Sequence, residues 1–131
     1  MEIENKKYGK IEVKEEDLTD DYKKISLVVK SSKEEIGFVT FKIKKLRNRV
    51  AWLQRIEVQK KYQSQGFGDT LITLMEDYLV DHLCNVVEGK FWPLNNHARP
   101  FYKKHGYDIV REDFETYIYK YGLKKEVEAQ Q

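Results

Sequence analysis

The sequence predicts a mixed α/β (α+β) fold: a mostly antiparallel sheet with a central β-α-β unit and two main helices, in a single domain over residues 1–131. Three observations predict it. Residues 10–58 carry short β-branched and aromatic runs separated by polar turns, which reads as a meander of strands. From Asp69 the period changes, and Leu71, Leu74, Met75, Tyr78, Leu79 and Leu83 recur at three- and four-residue steps, as on an amphipathic helix. The length, 131 residues, suits one core that buries about two thirds of the unfolded surface.

Composition narrows the classes. Charged residues are 35% and hydrophobic residues 40%, yet nine Tyr, six Phe and two Trp argue against disorder. A net charge of +2, from 24 basic and 22 acidic residues, is too balanced for the electrostatic footprint of a nucleic-acid binder. Cys84 is the sole cysteine, so no internal disulfide forms, and no Cys/His spacing marks a metal site. The start, "MEIENKKYGK", lacks an apolar signal core, and no apolar run approaches a membrane span of about eighteen residues. Cytoplasmic residence is the expectation. The polar ends, residues 1–5 and 124–131, are expected to fray.

In order along the chain, "KIEVK" (10–14), "ISLVVK" (25–30), "IGFVTFKI" (36–43) and "VAWLQRIEV" (50–58) are the first four strands. Between the first two lies only "EEDLTDDYKK", room for about one helical turn. The basic run "KIKKLRNR" (42–49) reads as a solvated hairpin turn. After the long helix, "NVVEGKFW" (85–92) is a short strand. "NNHARPFYKKHGY" then reads as a helix capped by Asn95 and closed by Gly106. "YDIVRE" and "ETYIYKY" finish the chain as a hairpin around Asp113. Strand 50–58, helix and strand 85–92 form the β-α-β unit, which implies two parallel neighbours in an otherwise antiparallel sheet.

The connection "QSQGFG" (63–68) joins strand to helix. Glycine lets the backbone turn tightly and expose its N–H groups, and the helix that follows adds unpaired N–H groups and the positive end of its dipole. That combination suits an anion, most naturally a phosphate. A P-loop would need Lys then Ser/Thr after the last glycine, where Asp69 and Thr70 stand; a dinucleotide loop would need Gly or Ala where Leu71 stands. Both patterns fail, which leaves another anion or a plain tight turn.

"QSQGFG" fits the pattern Q/R-x-x-G-x-G/A, and "NNHARPFYKKHGY" supplies Asn95, Ala98, Phe101, Tyr102, Gly106 and Tyr107, with Asn95 27 positions after Gly68. In order and spacing these two motifs resemble the GNAT superfamily of acyl-CoA-dependent N-acetyltransferases. The resemblance covers residues 50–123 well and the N-terminal third only as a strand meander. It implies acetyl-CoA as cofactor and attack of an amine on its thioester, through a tetrahedral intermediate that expels the CoA thiolate. By the same resemblance, the backbone amides of Gln63, Ser64, Gln65, Gly66, Phe67, Gly68 and Asp69 hold the pyrophosphate. The backbone around Ile56 and Val58 receives the pantetheine and thioester carbonyl, Asn95 contacts the pantetheine arm, and Tyr102 stands near the sulfur as general acid. Relatives often form homodimers, and nothing in the sequence marks an interface.

A base is harder to assign. A lysine-like amine is neutral in only about one part in 2,500 at pH 7, a handicap of roughly 4.6 kcal/mol, whereas an α-amine gives up only about 1.4 kcal/mol. Period-two alternation would put Trp52, Gln54 and Ile56 on the face of Val58, with Arg55 and Glu57 opposite. In relatives whose base lies on this strand it occupies the same-face positions, here Trp52 and Gln54, which can line the substrate but cannot take a proton. Glu57, Glu88 or a water-linked carboxylate remain. His82, His97 and His105 read as helix-surface residues, and Cys84 as a small buried hydrophobe.

The short 15–24 connection stands where many relatives carry two helices that wall the acceptor site. An open groove follows, better suited to a peptide or protein amine than to an enclosed small one. The alternative is a domain of this fold that binds acyl-CoA or a partner without turnover, and the missing strand base is its best argument.

Overall fold

Among the described residues, backbone pairing assembles the alternating segments into one sheet of eight strands. The computed structural model describes residues 2–5, 9–32, 34–46, 50–91, 97–114 and 118–127. Strands β1 (Glu2–Asn5), β2 (Gly9–Asp17), β3 (Tyr22–Lys30), β4 (Glu35–Lys44) and β5 (Val50–Val58) form an antiparallel meander. Helix α1 (Phe67–Asp81) crosses to β6 (Val86–Phe91), which runs parallel to β5. Helix α2 (Ala98–Lys104) leads to β7 (Asp108–Phe114) and β8 (Ile118–Glu126), and β8 inserts between β6 and β7. The mixed sheet, its β-α-β unit and the two main helices match the fold the sequence predicts.

Period two decides the faces. Ile25, Leu27, Val39, Phe41, Ile43, Ala51, Leu53 and Val87 are buried on one face. Against it α1 lays Leu71, Ile72, Leu74, Met75 and Leu79, with the ring of Tyr78 edge-on to Phe41 at 5.5 Å. Each such side chain contributes about 1.5–3 kcal/mol on leaving water, so this seam is what keeps α1 on the sheet. A charge at Met75, fully buried, would break it. Helix α2 lies on the same face, since Tyr102 packs on Phe91. Among the described residues no helix covers the opposite face, which carries Phe38, Lys42, Trp52, Arg55, Glu57 and Glu88, and none is long and apolar enough to cross a membrane.

Several expectations need correction. Of the ends expected to fray, the described residues contribute strands: β1 pairs with β2 from Glu2↔Glu12 to Asn5↔Gly9, β8 reaches Glu126, and Val127 is only 5% exposed, while residues 1 and 128–131 lie outside the described residues. Their stability comes from backbone pairing, of β1 along the edge of the sheet and of β8 between β6 and β7, which polar composition does not reveal. The 15–24 connection holds no helical turn. Strand β2 continues to Asp17, and the Thr19 hydroxyl accepts from the amides of Asp21 (3.2 Å) and Tyr22 (3.1 Å), closing a tight turn. Helix α1 begins two residues early, at Phe67. Asp113, expected at the turn of the C-terminal hairpin, lies within β7 and pairs with Tyr119, and residues 115–117 lie outside the described residues.

The correction with most consequence lies in β5. Thr40 pairs with Arg55 and Phe41 with Leu53, so Gln54 has no partner and forms a bulge. One extra residue reverses the phase. Ile56 and Val58 therefore join Ala51 and Leu53 on the helical face, while Trp52 shares the open face with Arg55 and Glu57.

Candidate active site

The bulge at Gln54 also opens a cleft. Strands β5 and β6 pair over only four positions, from Val50↔Val86 to Leu53↔Gly89. Beyond them Ile56, Glu57 and Val58 keep their partners on β4, namely Val39, Phe38 and Gly37. Among the described residues no strand lies beside their other edge, which leaves backbone groups there to face a ligand. Close contact with β4 fixes this arm, because a Cβ on Gly37 would lie 2.4 Å from the Glu57 carbonyl oxygen.

A braced turn leads from β5 into the loop. The single 3-10 turn Lys60–Tyr62 is tied to the β3–β4 connection by Glu34, which accepts from Tyr62 Oη (2.5 Å) and pairs with Lys61. Tyr62 also meets Phe67 edge-on at 5.9 Å. The Gln63 amide donates to Lys60 O (3.2 Å), and the Gln63 side chain donates to Val58 O (3.0 Å). That side chain pins the loop to the end of β5, and its amide is already spent. Ser64 and Gly66 both have positive φ, 65° and 86°, and the chain enters α1 at Phe67 with no side-chain cap. Among the described residues no hydrogen bond uses the amides of Ser64, Gln65, Gly66, Phe67, Gly68 or Asp69. Such a run of outward N–H groups at a helix start is a concave anion site.

Helix α2 brings the second half alongside. A Cβ on Gly68 would lie 3.2 Å from the ring of Phe101, so the missing side chain is what lets the helices touch. Tyr102, next along α2, is 8% exposed among Phe91 (5.5 Å), Phe101 (5.3 Å) and Tyr107 (5.6 Å). Burial pushes its hydroxyl up to about 12, because the phenolate has lost its water. Asn95 and Trp92 lie outside the described residues, and α2 starts at Ala98 with His97 as cap.

Sequence reasoning missed one cluster. Asp69 Oδ1 lies 2.8 Å from Lys104 Nζ and 2.7 Å from His105 Nε2. The hydrogen bonds from Lys104 and then His105 hold the Asp69 carboxyl below its ordinary value of 3.8. The sign follows directly. A lowered folded value stabilises the fold above pH 3.8, and that contribution is lost as pH falls through the lower folded value. Asp69→Asn is therefore expected to flatten the acid limb of stability, checked by thermal unfolding between pH 5 and pH 2.5.

The remaining expected residues separate. Trp52 stands opposite Glu88 on the open face, with Lys90 over its ring at 5.8 Å. Gln54 is exposed on the bulge. Glu57 is held by Arg55 and Glu88 lies 3.9 Å from Lys124. His82 caps α1 and stacks on Tyr78 at 3.9 Å, while Cys84 is buried and unpaired.

Comparison with known proteins gives a consistent picture. A sequence profile described as the acetyltransferase (GNAT) family matches residues 2–107. No curated protein sequence matches the chain. Among solved structures, the PaiA N-acetyltransferase of Thermoplasma acidophilum, in complex with coenzyme A, superposes with a TM-score of 0.68 at 21% identity, over 81% of this chain and 61% of that one. An acetyltransferase from Bacillus cereus gives 0.67 at 22% identity, over 83% and 76%. The ribosomal-protein-S18-alanine N-acetyltransferase of Escherichia coli gives 0.65 at 18% identity, over 86% and 74%. At these identities the structures share the fold, and the profile supplies the family: this chain belongs to the GNAT family of acetyltransferases.

Proposed function

We propose that this protein transfers the acetyl group of acetyl-CoA to a primary amine, with Tyr102 as general acid and the loop amides at the CoA pyrophosphate. One observation carries the reading: a run of uncommitted amides at residues 64–69 and a buried tyrosine hydroxyl sit on two helices locked together at Gly68 and Phe101. The residues fit the cofactor. A Cβ on Gly66 would meet nothing within 4 Å, so the space beside Gly66 is open, and among the described residues the edge of Ile56 and Val58 away from β4 has no strand partner. Asn95 is assigned to the pantetheine arm by its motif alone.

Bound acetyl-CoA supplies an acetyl group activated as a thioester. Tyr102 holds its proton throughout the neutral range, since its hydroxyl is pushed up to about 12. Complete transfer to a thiolate of ordinary value near 8.5 would be uphill by about 3.5 units, or roughly 5 kcal/mol. Tyr102 therefore acts as general acid by partial proton transfer along a strong hydrogen bond to the departing sulfur, and exchange with solvent leaves the thiol protonated and the Tyr102 hydroxyl restored.

The acceptor reading rests on two features. Neither Trp52 nor Gln54 is a base and Glu57 is tied to Arg55, which favours an amine that loses its proton easily, such as a peptide α-amine over a lysine-like one. The tight turn between β2 and β3 raises no helix over the open face, leaving room for a peptide. The second reading, a CoA-binding module without turnover, is favoured by the same missing base. A thiol-release assay with acetyl-CoA and an amine panel decides between them: release with peptide α-amines supports transfer, and CoA binding with no release above background from any amine supports the module.

A further inference from the structure

We propose that Asp69, Lys104 and His105 form a clamp that positions the loop amides relative to Tyr102 and turns a carboxylate away from the anion site. The proposal rests on the CoA reading of that site. Asp69 lies in the first turn of α1 and is the last residue of the run whose amides are open to an anion. An unmanaged carboxylate there would repel a pyrophosphate, because like charges a few ångströms apart near a surface cost on the order of several kcal/mol. Here Oδ1 is drawn onto α2 by Lys104 Nζ (2.8 Å) and His105 Nε2 (2.7 Å), the latter donating in the tautomer that carries its proton on Nε2.

The clamp has a packed backing. His105 is 15% exposed at its side chain, and its ring lies 5.0 Å from that of Phe101. Phe101, one turn earlier on α2, fills the place where Gly68 lacks a Cβ. Positions 101 and 105 are thus the face of α2 turned toward α1, and Tyr102 is fixed on the adjoining buried side against Phe91. A helix of seven residues is too short to hold itself. Its orientation, and with it that of the Tyr102 hydroxyl, is set by these contacts. Asp69 and His105 are positioning residues in this account, acting through the loop and through Tyr102.

A double-mutant cycle on CoA affinity tests it, read by calorimetry alongside thermal unfolding and amide hydrogen exchange of the unliganded chain. His105→Ala is expected to raise the CoA Kd about tenfold, equivalent to one charge-assisted hydrogen bond. His105→Gln, which keeps an N–H donor, restores most of the loss. In an Asp69→Ala background, which removes the accepting oxygens, His105→Ala changes Kd less than about twofold, because the partner is already gone. Exchange should quicken in α2 and the first turn of α1 while the amides of β3 and β4 stay protected. An equal loss in both backgrounds, or Kd unchanged in His105→Ala, overturns the clamp. So does quickened exchange across the whole sheet with a matching fall in Tm, which would make His105 a general stabiliser. A wild-type chain that binds no CoA overturns the site reading and the positioning role together, a result distinct from wild type and variants binding equally well.

Discussion

Replacing Tyr102 with phenylalanine is expected to lower kcat about 100-fold while leaving CoA affinity within about threefold. The substitution removes one oxygen from a ring packed among Phe91, Phe101 and Tyr107, so the cavity and the helix contact stay filled. What is lost is the hydrogen bond to the departing sulfur, and donors of this kind contribute about 10²–10³ in rate. With its hydroxyl pushed up to about 12, Tyr102 remains a donor across any pH at which the protein is assayed. The wild-type rate should therefore climb with pH until the acceptor amine is neutral, and the variant should climb in parallel at a lower level. A variant within threefold of wild type in kcat would remove Tyr102 from the chemistry.

The second large effect concerns stability and the cleft together. Gly37→Ala would ordinarily help a strand by about 0.5–1 kcal/mol, since glycine is entropically costly there. Here the new Cβ would lie 2.4 Å from the Glu57 carbonyl oxygen, 3.1 Å from Val58 Cα and 3.2 Å from Leu71 Cδ1. Two of those are backbone atoms of the arm beside the cleft, so β5 must shift bodily rather than a side chain swing aside. The expected cost is about 3 kcal/mol, a fall in Tm of roughly 10 °C by thermal unfolding, with weaker CoA binding because the edge of Ile56 and Val58 moves. Gly66→Ala is the control. Its Cβ meets nothing within 4 Å, and only the φ of 86° opposes it, at about 1 kcal/mol. Equal effects at the two glycines would contradict the steric account.

Legibility in the sequence followed the physics of each feature. The meander and α1 were readable because burying one face imposes a period, and Leu71, Leu74, Met75 and Leu79 are buried as that period requires. The bulge at Gln54 was not, since strict alternation presumes an uninterrupted ladder and nothing in "VAWLQRIEV" marks where a residue is looped out. Strand β1 and the end of β8 escaped for a different reason: they are held by main-chain pairing, β1 at the sheet edge and β8 between β6 and β7, and backbone groups are the same in every residue. Of the candidate site, the two helices were legible as elements, their service of one cofactor was reached only through the family resemblance, and their approach through Gly68 and Phe101 appears only in the folded chain. The pairing of Asp69 with Lys104 and His105 spans 36 residues for the histidine and has no local signature. Only the folded chain brings these charges together.

The central claim, acetyl transfer to an amine, is tested most directly by incubating the protein with acetyl-CoA and a panel of peptides and small amines, then following both thiol release and acetylated product by mass spectrometry. The account predicts stoichiometric CoA release and N-acetylated peptide, strongest for free α-amines, and about 100-fold slower with Tyr102→Phe. CoA that binds in calorimetry yet is never released as free thiol from acetyl-CoA with any amine would contradict it.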